Sequence, residues 1–414
     1  MKDLKYLFRV PLPPMVSVPL ERTLDEQRNE ILFPRTPTFP VFSFIEQLQD
    51  LLSMSDVFRD IDNLHVNKAN PWLPYDPGND DVEEMQDGEW FRNSCAPHST
   101  DPIHFNLGII LYTDKTGKGE LNPHGMEPVV FTLTLLRESV RRQPDCWRPL
   151  GFVPQFRKSS SALERVEKQS KITTSRSVRN YHLVLDTILA GLIECQRSPP
   201  IVRIRFGNEW KFCVANIFME ALLGDALSND VVTARVQNRS HTSFRLCHAC
   251  HTPTSLSNDP RHRCMFLVQR AIERITLSAL GPEEDLSNPH YFNQWDAFVD
   301  EMVSETPNLT DSQTRGLRRK YAAGLTRRKA ICTEILRVVL GSHVVDNTFF
   351  RVNTGDNPRG IFGLAPTDPM HAVEEGVIPY MVEVFISPLP DSAKKILDGI
   401  VEALFSKKSN RSSQ

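Results

Sequence analysis

The sequence predicts an α/β fold, a mixed sheet interrupted by a cysteine-rich loop and an α-helical insertion. Three observations predict it. Short apolar runs of strand composition, Leu107–Tyr112, Val129–Leu136 and Trp147–Val153, precede a helix-period run from Val178 to Cys195, and more strand structure follows. Three of the eight cysteines, Cys247, Cys250 and Cys264, fall in one stretch. Beyond them come a helical segment, an acidic stretch and a long basic helix.

Composition bounds the function classes. A chain of 414 residues can bury a large core and matches two or three domains by length. With 40% hydrophobic and 24% charged residues, it has ordinary globular composition. The formal net charge of −3 carries no global signature of nucleic-acid binding, so any such binding must come from local patches. No stretch approaches the roughly 20 apolar residues of a membrane helix, and Met1–Leu4 opens no signal-peptide core. The scattered cysteines suit a reducing compartment with a metal site better than a disulfide framework.

Taken in order, residues 1–41 form a Pro-rich arm, because Pro11, Pro13, Pro14, Pro19, Pro34, Pro37 and Pro40 forbid long helices. Residues 42–100 hold a helix from Phe42 to Phe58, with a break near Asp56, and then a linker of turn formers ending at Trp90 and Phe91. Residues 101–240 are the expected catalytic core. Its first strand, Leu107–Tyr112, is buried and closes at Thr113–Gly117, which leaves Asp114 at the strand's end, as a turn opener or as a carboxylate facing solvent or metal. Pro149 makes Trp147–Val153 an edge strand. A loop from Lys158 to Ser177 leads into the Val178–Cys195 helix. Ile201–Phe206 and Trp210–Val214 form a hairpin about Gly207 and Asn208, and a further apolar segment, Ala215–Leu223, delivers Asp225.

Three strands, a helix and a strand ending in a second acid is the order of an RNase H-like fold. Such enzymes share divalent ions about 4 Å apart between two carboxylates, one ion activating the attacking oxygen and the other stabilising the leaving oxygen. The chain also resembles eukaryotic cut-and-paste transposases of the CACTA/Plavaka kind over roughly residues 42–410. Leu111–Thr116, Pro128–Leu133 and Leu150–Pro154 resemble their first catalytic block. Gly224–Asp230 followed by Cys247 and Cys250 looks like the second, and Asp368 with His371 is similar to their Asp-x-x-His motif. The resemblance implies that Asp114 and Asp225 are the first two acids of a DDE set holding Mg2+ or Mn2+, with His371 assisting. It implies a nuclear protein cutting transposon-end DNA and joining it to target DNA, with a homo-oligomer left open; the lack of a long apolar stretch leaves no membrane partner expected. The third acid of that family is a Glu on a later helix, and the chain is expected to end before it, which makes poor cleavage or an inactive DNA-binding descendant the alternative.

Cys247 and Cys250 can converge two thiolates on one ion, and Cys264 with His262, His251 or His241 completes a tetrahedral zinc site, His262 being the ligand expected. Such a closed site in the 241–270 loop is structural and does no chemistry. The insertion over 271–345 begins with a helix from Ile272. Ala279–Asp311 then carries eight acids and no Lys or Arg. Thr310–Leu340 is the expected long helix, with Arg318, Arg319, Arg327 and Arg328 among eight basic residues against Asp311 and Glu334. That face either contacts a DNA backbone or docks on the acidic stretch before it. Residues 346–414 carry the Asp368/His371 motif and the last helices.

Overall fold

The computed structural model describes residues 13–19, 23–24, 30–31, 38–73, 75, 104–113, 127–154, 171–224, 226–235, 267–280, 332–333, 335–355, 357, 359–364, 390 and 392–396. Contacts divide the chain into two units, Met1–Pro366 and Thr367–Gln414. In the second unit, residues 392–396 form a helical turn whose first amides, Ala393 and Lys394, donate to the Pro390 carbonyl.

The first unit is built on a mixed five-stranded sheet. Its strands are β5 (His104–Thr113), β6 (Glu127–Leu133), β7 (Arg148–Val153), β8 (Ile201–Phe206) and β9 (Glu209–Leu223), in spatial order β7-β6-β5-β9-β8. β5, β6 and β7 form an antiparallel meander. The chain then crosses over through a 27-residue helix, Lys171–Arg197, and returns as a hairpin whose second strand, β9, lies parallel to β5. A parallel neighbour cannot be reached by a tight turn, so this long crossover is what the β5–β9 pairing demands. We number the helices α1 (Phe44–Leu52), α2 (Ser55–Phe58), α3 (Glu138–Arg141), α4 (Lys171–Arg197), α5 (Ala226–Val232), α6 (Gln269–Leu280) and α7 (Ile361–Leu364).

Much of the core lies between one face of this sheet and two helices, and the same cluster continues through Ile275 of α6 and Phe362 of α7. Leu107, Ile109 and Leu111 alternate onto that face of β5 beside Val129, Phe131 and Leu133 of β6, all buried. α1 presents Phe44, Leu48, Leu51 and Leu52 at helical spacing, and Phe44 stacks on Phe131 with ring centroids 5.1 Å apart. α4 adds Val184, Leu185, Ile188, Leu189 and Leu192, again on one stripe. Gly151 of β7 is a close approach: a Cβ there would stand 2.9 Å from Ile188 Cγ1.

Two bulges shape the sheet. In β9, Glu220 is the extra residue between Met219, which pairs with Ile109, and Ala221, which pairs with Ile110. In β7, Leu150 is extra between Pro149 and Gly151, and its carbonyl accepts the Phe42 amide at 2.9 Å. β7 is indeed an edge of the sheet, and Pro149 lies next to the bulge, where its missing N–H costs no ladder bond. The Pro-rich arm covers part of this edge, with Val41 bridging to Gly151. Within the arm, β1 (Met15–Ser17) pairs with β4 (Thr38–Pro40), and β2 (Thr23–Leu24) with β3 (Glu30–Ile31).

The structure departs from the sequence expectations at several boundaries. The Phe42–Phe58 helix is two helices broken at Ser53 and Met54, not at Asp56. Residues 171–177, expected in a loop, already belong to α4. Trp210–Val214 and Ala215–Leu223 are one 15-residue strand rather than two segments. The start of the expected linker is packed, since Leu64, His65 and Trp72 are buried and the His65 amide donates to Leu135 O at 2.7 Å. α6 extends three residues ahead of its expected start, with Ile272, Ile275, Thr276 and Ala279 buried. Of the expected Thr310–Leu340 helix, the described part is residues 332–333 and a π-helical turn, Ile335–Val339, closed by the Leu340 amide on Ile335 O at 3.0 Å.

Candidate functional site

The parallel pair β5–β9 defines the candidate site. Tyr112 is in register with Leu223, so the C-terminal ends of the two central strands lie side by side. Thr113 and Gly224 are the last described residues before Asp114 and Asp225 in the sequence. Strand ends paired side by side are more precisely placed than loops and suit residues that must hold a fixed geometry.

A buried polar trio sits at the end of β5. Thr113 pairs with Val129 two residues beyond Glu127, and the Thr113 hydroxyl donates to Glu127 Oε1 at 3.4 Å. Tyr181 of α4 reaches in and donates its hydroxyl to the same carboxylate oxygen in a short bond. The Tyr181 and Thr113 hydroxyls are themselves 3.5 Å apart. All three residues are buried, so the carboxylate is held by hydroxyl donors in a low-dielectric setting where those bonds are strong. A second buried carboxylate, Glu220, lies at the bulge of β9 against Gly108 of β5, where any Cβ would collide with it. Gly108 is the residue type this close approach requires.

The chain after β9 is pinned at many points. Asn229 Nδ2 donates to Gly224 O at 3.1 Å, and Asn347 Nδ2 to Val232 O at 2.9 Å. Arg235 donates to Leu340 O and to Ser342 Oγ, and the His343 amide donates to Ala234 O at 2.8 Å. His182 of α4 joins the same layer. The Thr348 amide approaches its Nδ1 at 3.4 Å, which makes Nδ1 an acceptor, so Nε2 carries the proton and donates to Val231 O at 3.1 Å. Burial pushes His182 down to about 4. His343 is likewise pushed down to about 4, by burial and then by the charges of Arg337 and Arg179. The outer edge of β9 beyond the hairpin is met by the Asn353 carbonyl, which accepts the Met219 amide at 2.8 Å, while Gln196 of α4 bonds both backbone groups of Asn353.

The site residues expected from sequence lie outside the described residues: Asp114, Asp225, His371, Cys247, Cys250, Cys264, His262, Arg318, Arg319, Arg327 and Arg328. Among the described residues there is no group of three or more His, Cys, Asp or Glu that would hold a metal ion, and Cys146, Cys195, Cys213 and Cys332 are thiols rather than halves of disulfides. No helix among the described residues is long and apolar enough to cross a membrane. Sequence reasoning missed Glu127, Tyr181 and Glu220. Glu127 directly precedes the apolar run of β6, and Glu220 interrupts an otherwise apolar stretch of β9, so a charged residue inside strand composition was the available signal. Compared with known proteins, the chain matches no protein-family model and no curated protein at a significant level.

Proposed function

We propose that the chain is an RNase H-like, DDE-type transposase relative that cleaves and transfers DNA strands, with Asp114 and Asp225 as its first two acids. The observation that carries the reading is the parallel β5–β9 pair at the centre of the β7-β6-β5-β9-β8 sheet, whose adjacent C-terminal ends stand immediately before those two aspartates in the sequence. Carboxylate oxygens suit Mg2+ or Mn2+, and two such residues suffice for ions that keep several waters. When bound, the ions supply charge stabilisation for the attacking and leaving oxygens of a phosphodiester. The chain's own part is positional. Thr113, Glu127 and Tyr181 lock the end of β5, and the Asn229 bond to Gly224 O holds the chain where it leaves β9. Cys247, Cys250, Cys264 and His262 offer thiolate and imidazole donors that suit a structural zinc ion rather than magnesium. His371 is assigned an assisting role, and Arg318, Arg319, Arg327 and Arg328 a phosphate-contacting one.

The test is a Mg2+-dependent nicking and strand-joining assay on labelled duplex DNA with the full chain. With the third acid expected beyond this chain, weak cleavage that vanishes in Asp114→Asn and in Asp225→Asn, while DNA binding persists, is the expected result. Salt-dependent DNA binding with no cleavage in either Mg2+ or Mn2+ would replace this reading with that of a non-catalytic DNA-binding protein. Absence of both activities would remove nucleic acid as the substrate.

A further inference from the structure

The β8–β9 hairpin carries an exposed face that the fold does not use. Its turn is Gly207-Asn208, with Gly207 at φ +60° and no positive φ at Asn208, the pattern of a type II′ turn. Cross-strand pairs Ile201 with Val214, Arg203 with Phe212 and Arg205 with Trp210 share one face, because neighbours in register point the same way. Val202, Ile204 and Phe206, between them on β8, are buried in the core on the opposite face. The outward face is therefore set by alternation, yet it is not polar: Ile201 and Phe212 are each 71% exposed. Arg203 lies over the Trp210 ring at 4.1 Å from its centroid, and Arg205 at 5.5 Å. Among the described residues neither guanidinium meets a carboxylate. Arg205 instead donates to Gly207 O at 2.7 Å, which holds it extended along the hairpin.

The open edge of β8 does not explain this face. Gln49 of α1 accepts the Arg203 amide at 3.0 Å and donates to its carbonyl at 2.9 Å, so the middle of the edge is already capped and is not a template for an added strand. What remains is an open two-stranded face with aromatic rings and guanidinium planes, whose positive charges meet no acid among the described residues. Unpaired bases stack on such rings without sequence preference, and their phosphates are neutralised by flanking Arg. A duplex keeps its base faces stacked on one another and presents only groove edges and phosphates, so it offers Phe212 no ring to stack on.

We infer that the β8–β9 hairpin is a docking platform for single-stranded nucleic acid, with Phe212 stacking a base beside the Arg203–Trp210 pair and Arg203 and Arg205 contacting the backbone. This deepens the strand-transfer reading by giving the chain a grip on unpaired DNA. Phe212 lies roughly 35 Å along β9 from Leu223, at about 3.3 Å per residue, so a strand held here and processed at the far end would span several nucleotides.

The experiment measures anisotropy of a fluorescein-labelled oligothymidylate and of a duplex of equal length, using the full chain in an Asp114→Asn background. Phe212→Ala should weaken oligothymidylate binding about ten-fold and Phe212→Trp should keep it, since one stacked base carries an effect of that order. Arg203→Gln with Arg205→Gln should reduce the slope of log K against log salt by about 0.7 for each phosphate no longer neutralised. Duplex binding should be indifferent to Phe212. Oligothymidylate binding that is absent, or equal in the wild type and Phe212→Ala, overturns the inference. So does a concentration-dependent dimer that Phe212→Ala dissolves, which would make the face an interface between two copies. Failure of cleavage with these Phe212 effects intact rejects only the strand-transfer reading and supports the platform. Intact cleavage with Phe212-independent binding rejects only the platform.

Discussion

At Gly108 a single missing side chain decides how two strands meet. The Glu220 carboxylate occupies the space over Gly108 at the point where β9 bulges, so Gly108→Ala forces a buried acid to move. Overpacking of this kind costs about 1–3 kcal/mol. Urea unfolding should report that loss in Gly108→Ala and a partial recovery in Gly108→Ala with Glu220→Ala, a non-additivity expected of residues in contact. Additive effects would mean the two side-chain positions do not compete. His182 supports a second prediction at this scale. Its folded value of about 4 lies below the ordinary 6.5, so the unfolded chain takes up a proton that the folded chain refuses. His182 therefore contributes fully above about pH 6.5, and stability falls as pH drops through 6.5 toward 4, by on the order of 3 kcal/mol for such a shift. His343 acts in the same direction. Denaturation midpoints measured between pH 7.5 and 4.5 should decline, and His182→Gln, which cannot take a proton, should flatten that decline.

At the scale of elements, α1 is fastened to the sheet by polar bonds as well as by its apolar stripe. Arg148 of β7 donates Nε and Nη2 to Asp50 Oδ2, each at 2.7 Å, with side-chain exposures of only 9% and 20%. Its third nitrogen, Nη1, bonds the Asp145 and Trp147 carbonyls, so the guanidinium is fully engaged. Removing one partner of a buried pair strands the other charge, which typically costs about 3 kcal/mol. Asp50→Ala should lower stability by about that much, while Arg148→Met with Asp50→Leu should recover most of it. A loss of well under 1 kcal/mol in Asp50→Ala would show the pair to be effectively solvated. Gln49, on the preceding position of the same helix, caps the β8 edge, so one turn of α1 meets both borders of the sheet.

At the scale of the whole molecule, the expectation is a protein that needs two kinds of metal for two different reasons. Chelation of a structural zinc by Cys247, Cys250, Cys264 and His262 should be measurable as about one equivalent per chain, since structural sites are closed and four-coordinate. Purified protein containing no zinc, or retaining it after Cys247→Ser with Cys250→Ser, would rule that ligand set out. Divalent-ion binding at Asp114 and Asp225 should be weaker and magnesium-like, and should survive those cysteine substitutions. Calorimetric titration of Mg2+ into the wild type and Asp225→Asn distinguishes the two sites.

The sequence alone determined what short-range periodicity can carry. Short apolar runs of strand composition marked β5 and β6, the apolar stripe marked α4, and Pro149 marked β7 as an edge. Gly207-Asn208 marked the hairpin turn. It also put Asp114 and Asp225 just past two strands. Tertiary structure decided what depends on partners distant in sequence. That β9 runs unbroken through Glu209–Leu223 follows from its two neighbours, β8 beside its first part and β5 beside most of the rest, which no local pattern reveals. That Glu220 can sit in mid-strand depends on the absent side chain of Gly108, more than a hundred residues earlier. Burial of Leu64, His65 and Trp72 in a stretch of turn formers is likewise set by the sheet they pack against. Charge tells the same story in reverse: Arg203 and Arg205 are ordinary strand residues in the sequence, and only strand pairing gathers them with Trp210 and Phe212 on one open face. Periodicity reports the face a residue is on, whereas the identity of what lies across from it is a long-range fact.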